Sequence, residues 1–141
     1  MNLRYSNVYG PRQNPLGEAG VVSIFLGRIL SGKKPIVFGG GLQTRDYIHV
    51  HDVVEANILA MSGKLDNDTF NVGTGKETSV NDLVALMQEI VNQEIIAEHI
   101  EERKGEVRNI FLDVSKIEKL GFKPKHGLRG EIESVLEWMR A

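Results

Sequence analysis

Two arginines on separate polar stretches are the residues best suited to chemistry. Arg45 sits in "GLQTRDYIHVHD", beside Asp46 at the start of an alternating segment, and Arg103 sits in "EERKGEVR". A guanidinium offers paired donors in one plane, so two of them on converging loops clamp a diphosphate in a way lysines do not. The plainer reading of Arg45 is an ion pair with Asp46, and that of Arg103 is a solvated charge cluster at a turn. His49 and His51, at strand spacing of two with Asp46 and Asp52 nearby, have the residue types of a metal site. Spacing supplies no third ligand, since His99 and His126 stand alone. Gly39, Gly40 and Gly41 suggest a phosphate loop, but that chemistry needs a helix after the glycines, and here a strand follows. A tight turn is the simpler expectation.

Composition narrows the partners. The 141 residues have the length of one ordinary domain, and 17 basic against 19 acidic residues leave a net charge of -2. No block of like charge suits a general hold on nucleic acid. The chain has no cysteine, so it builds neither disulfides nor thiolate metal sites, and a reducing cytoplasm is the simplest setting. The first residues do not read as a signal peptide, no apolar run reaches bilayer length, and "NDT" at Asn67 reads as an accidental glycosylation match.

The elements that must position these residues alternate. Residues 2–8 read as a strand, and "GEAGVVSIFLGRILSGKK" as a buried helix with Val21, Val22, Phe25 and Ile29 on one stripe. "PIVFGGG" and "TRDYIHV" read as strands that pair as a hairpin, with His51 or Asp52 capping the helix "VVEANILAMSGK". Residues 69–73 read as a strand entering a glycine turn. Ser79 with Asp82 opens the clearest helix. "EIIAEHI" and "NIFLD" read as strands, Asp113 as the cap of "VSKIEKLG", and Leu128, Ile132, Val135, Leu136 and Met139 as the stripe of a last helix. This order predicts an α/β or α+β chain.

Four stretches taken together, "LRYSNVYGPRQ", "GVVSIFLGRILSGKKPIVFGGGLQTRDYIHVHDVVEA", "FNVGTGKETSVNDL" and "RKGEVRNIFLDVSKIEKLGF", resemble the extended short-chain dehydrogenase/reductases. Within them the likeness is to the NAD-dependent nucleotide-sugar epimerases and dehydratases, above all those acting on UDP-hexoses. The resemblance covers nearly the whole chain, but only the C-terminal part of such an enzyme. It implies an α/β substrate-binding portion carrying an incomplete Rossmann sheet, in which the strands near 2–8 and 69–73 join strands of an N-terminal half.

The family's Gly-rich fingerprint and its Tyr-x-x-x-Lys pair would lie upstream of Met1. Four residues after Tyr5, Tyr9 and Tyr47 stand Tyr9, Gln13 and His51, so no catalytic residue is expected here. The chain resembles a fragment, a split gene product or a cut domain. NAD is expected in the complete enzyme and not on this chain alone, while a UDP-sugar, a companion Rossmann half or a second copy are its expected partners.

By resemblance, Asn7, Arg45 and Arg103 face the substrate diphosphate, Val21 and Val22 border the nucleotide, and Ile36, Val37 and Phe38 receive the uracil. Glu106 binds the ribose, and Tyr5 lies on the strand approaching the nicotinamide. Asp46 orients Arg45 or caps a turn. Ser6 replaces a common aromatic and Lys104 a common proline, which loosens packing near the cofactor and mobilises the ribose loop. The alternatives are the substrate domain of a dTDP- or GDP-sugar dehydratase or reductase, and a non-catalytic nucleotide-sugar binding or assembly module.

Overall fold

A computed structural model describes residues 1–16, 20–65 and 67–141. In chain order the elements are β1 (Asn2–Tyr5), β2 (Asn7–Tyr9), α1 (Val21–Leu30), β3 (Ile36–Phe38), β4 (Thr44–Arg45), β5 (Tyr47–His49), α2 (Val50–Met61), β6 (Thr69–Val72), β7 (Thr78–Ser79), α3 (Val80–Val91), β8 (Glu98–Ile100), α4 (Ser115–Glu118) and α5 (Leu128–Arg140). The chain is mixed α/β, as its pattern predicts. Residues 17–19, which begin the expected first helix, lie outside the described residues; from Val21 onward the helix forms and buries Val22, Phe25 and Leu26.

Local chemistry sets the helix starts. Ser79 Oγ accepts from the Asp82 amide while the Asp82 carboxylate accepts from the Ser79 amide, a reciprocal cap that satisfies amides left over at the start of α3. Asn92 in the left-handed conformation closes that helix. The cap of α2 is neither His51 nor Asp52 but His49, whose Nδ1 faces the His51 amide at 3.5 Å. Asp52 is instead drawn into the interior, where it serves another segment. Before α4 the residue at the cap position is Val114, yet the Asp113 carboxylate accepts from the Ser115 amide at 3.0 Å and does the expected work from one place earlier.

Strand pairing departs from the expected hairpin. β1 pairs in parallel with β6, β2 with β5 and β3 with β8, while β4 pairs antiparallel with β7. The "PIVF" and "TRDYIH" strands therefore find partners far along the chain and not each other, because parallel partners need a long crossover and adjacency does not supply one. Residues 2–8 divide at Ser6, whose amide still bonds to the Val72 carbonyl, while Asn7 turns to the Asp46 carbonyl in the neighbouring pair. "NIFLD" is no strand; Asn109 makes one isolated bridge to Thr44, and "EIIAEHI" contributes only its last three residues.

Two apolar clusters flank β5. Tyr47 joins Tyr9, α1, α3 and α5 in one, whereas Ile48 joins α2, β6, α4 and Phe122 in the other, as strand alternation requires. Among the described residues no helix is long and apolar enough to cross a membrane.

Candidate functional site

A cleft of about 440 Å³ lies among α1, β3, β4 and the 100–106 segment. That is the size of ordinary small-ligand sites. It is lined by Asn7, Val21, Ile36, Val37, Phe38, Arg45, Arg103 and Glu106, so eight of the residues singled out in the sequence meet in one place. Two do not. Val22 turns into the core at 1% exposure, while α1 presents Val21, Ile24, Phe25 and Arg28 to the cleft. Tyr5 is half-exposed on β1, outside the cleft, and its hydroxyl donates to Asn57 Oδ1 at 3.0 Å.

Arg45 is fixed before any ligand is considered. Its Nη2 donates to Glu106 Oε1 at 2.8 Å, and its Nη1 reaches the carbonyls of Thr44, Val107 and Arg108 at 2.7, 3.0 and 3.4 Å. The ion pair of Arg45 is thus with Glu106 and not with Asp46. A guanidinium has five N–H donors. Among the described residues the Arg45 Nε–H has no partner, so that edge of the fork is available to an anion. Arg103 lies with its guanidinium carbon 3.8 Å from the centre of the Phe38 ring, a cation–π contact that brings positive charge over the aromatic wall.

Asp46 points the other way along the strand. Fully buried, it accepts from the Thr74 amide and hydroxyl, at 2.9 and 2.6 Å, and from the Gly75 amide at 3.0 Å. It caps the turn after β6. A Cβ at Gly73 would stand 2.5 Å from Asp46 Oδ2, so this turn needs glycine for close approach.

Three further polar side chains line the cleft without having been singled out. Arg28, on α1, donates through Nε to the Lys34 carbonyl at 2.6 Å, and Gln43 donates to the Phe38 carbonyl at 3.0 Å. Tyr47 has a buried hydroxyl without a hydrogen-bond partner, and burial pushes its pKa up to about 12, so it stays a donor. The alternation in "TRDYIH" carried the signal for Tyr47, because residues 45 and 47 share a side of an extended chain.

The glycine turn does not have the form of a phosphate loop. Gly39, Gly40 and Gly41 lead from β3 toward β4, and their contact with the start of α3 is made by carbonyls: the Asn81 amide donates to Gly41 and its side chain to Gly40. A phosphate loop needs amides directed outward instead. Among the described residues one group has the donors to hold a metal ion: His49, His51 and His126.

A profile of the NAD dependent epimerase/dehydratase family matches residues 1–73. A relative from Methanocaldococcus jannaschii is 49% identical over 98% of this chain and 45% of its own length. The structure of a Thermotoga maritima UDP-glucose 4-epimerase, solved with UDP-glucose, superposes with a TM-score of 0.93 at 48% identity, over 98% of this chain and 45% of that one. Human dTDP-D-glucose 4,6-dehydratase is 31% identical over 97% of this chain and 40% of its length. The chain therefore spans less than half the length of these relatives.

Proposed function

The chain belongs to the NAD dependent epimerase/dehydratase family, and on that premise we propose that it is the nucleotide-sugar-binding portion of an enzyme resembling UDP-glucose 4-epimerase. The observation that carries this reading is the convergence of Arg45, Arg103, Asn7, Glu106 and Phe38 on one cleft. In it the Arg45 edge and the Arg103 guanidinium bind the diphosphate, Asn7 adds a donor, and Glu106, oriented by Arg45, accepts from a ribose hydroxyl. Phe38 and Ile36 form the apolar wall for the uracil, and the Tyr47 hydroxyl gains the acceptor it lacks.

NAD enters as cofactor of the complete enzyme, where it would accept and return hydride. In this reading its cradle lies in a Rossmann half, and Tyr5 would meet the nicotinamide only once that half is in place. A cytoplasmic setting belongs to the same reading. The similarity to a dTDP-sugar dehydratase favours a second one, in which the same cleft takes a dTDP-sugar.

Calorimetric titration with UDP-glucose and with dTDP-glucose tests both. UDP-glucose should bind the more tightly, and Arg45→Ala should weaken it about 10- to 150-fold, the equivalent of about 1.5–3 kcal/mol for charge-assisted bonds. Tighter binding of dTDP-glucose would favour the second reading. No binding of either by a folded chain, or binding untouched by Arg45→Ala, would remove the cleft from consideration as a self-sufficient site.

A further inference from the structure

We propose that His49, His51 and His126 bind a late first-row divalent cation, zinc in the first instance, in a site separate from the nucleotide cleft. The three come from different elements: His49 ends β5, His51 lies in the first turn of α2, and His126 precedes α5. Their rings nonetheless gather, with centroid separations of 4.9, 5.0 and 5.5 Å, and the ligating nitrogens all lie within 4.8 Å of one another. None of them lines the cleft.

Buried Asp52 makes this meeting structural. Its carboxylate accepts from the Lys125 amide at 2.9 Å and the His126 amide at 3.2 Å, pinning the segment that carries His126 to the helix that carries His51. An independent observation points to a ligand. His49 is 1% exposed, and its Nε2 is buried without a hydrogen-bond partner among the described residues; Glu131 Oε2 stands 3.5 Å away. A buried polar atom left unpaired is costly. A cation bound at Nε2 satisfies it once the ring proton sits on Nδ1, at the expense of the long 3.5 Å cap contact with the His51 amide.

The donor set suits such an ion. Imidazole ligates zinc, copper, nickel and iron, and three imidazoles with an open fourth position are a recurrent zinc arrangement. Glu131 supports the site from outside: its Oε1 lies 2.6 Å from His126 Nδ1, which fixes that nitrogen as the donor and leaves Nε2 its lone pair. Tyr9 packs edge-on against His49 and closes the buried side, while His51 is exposed and gives ions a path from solvent. Ligand bonds of about 2.0–2.1 Å require the nitrogens to draw in by roughly an ångström. Exposed His51 and loop-borne His126 can rotate to meet that demand. The bound ion would tie β5, α2 and α5 together, a structural role.

The test is zinc titration of the chain after chelator treatment, read by calorimetry and by the melting midpoint, with cobalt as a spectroscopic substitute. One zinc per chain, a raised midpoint reversed by EDTA, and the visible bands of tetrahedral cobalt are expected. His51→Ala, which alters an exposed side chain, and His126→Ala should each lower zinc affinity tenfold or more. His51→Ala should keep the chelated protein's midpoint, so it decides the matter even if His126→Ala perturbs the fold. Absence of stoichiometric zinc, or zinc binding unchanged in His51→Ala, overturns the proposal. UDP-glucose titration in EDTA should be unaffected, which keeps this result distinct from the fate of the cleft.

Discussion

Arg45 and Asp46 are neighbours whose side chains leave the strand on opposite sides, and the two acquire unrelated roles. Arg45 is held by Glu106 and three carbonyls at the cleft, while Asp46 accepts from Thr74 and Gly75 behind it. Buried acceptors facing several donors tolerate no exchange of oxygen for an amide group. Asp46→Asn should therefore destabilise the fold by about 2–3 kcal/mol, seen as a lower urea midpoint with an unchanged slope. Equal midpoints would mean that the turn after β6 closes without the carboxylate. The two arginines were legible as anion binders by residue type, but the partner of Arg45 was not, because a pairing with Glu106 spans 61 positions and only folding brings them together.

At the scale of elements, what depends on a few consecutive residues was readable. The Ser79–Asp82 box and the apolar stripe of α5 both lie within a turn or two of the structure they set. The hairpin was not readable, since β3 and β8 choose each other over a long crossover. One contact between such elements sets a pH response. Lys116, on α4, donates to Asp68 before β6, and this hydrogen bond holds the Asp68 carboxyl below its ordinary 3.8. On acidification the unfolded chain takes up the proton first, so the contribution is complete above about pH 4 and is lost as pH falls through the native value. Asp68→Asn should lower stability at neutral pH by the small amount the pair contributes and flatten the acid limb of a stability-against-pH curve below pH 4. An unaltered acid limb would show that the pair is too well solvated to matter.

For the whole molecule, the parallel pairs β1–β6 and β2–β5 are each two strands wide among the described residues. β1 is half-exposed and offers an unpaired edge, the kind of surface that another strand completes. Sedimentation velocity over a range of concentrations should show the chain self-associating, and a co-expressed Rossmann half from the same family should suppress this by forming a one-to-one complex. A concentration-independent monomer that ignores such a half would show that β1 needs no neighbour.

The sequence by itself determined the α/β class, the capped start of α3, the apolar stripe of α5, the residue types able to bind a diphosphate and the likeness to a family. These follow from short-range periodicity, capping chemistry and motif order. Only the tertiary structure decided that Val22 faces the core, that Glu106 orients Arg45, that Tyr47 brings a spare hydroxyl to the cleft, and that His126 joins His49 and His51. Each of those depends on which distant backbone segments pair, and in the last case on one buried aspartate reaching across to a remote loop.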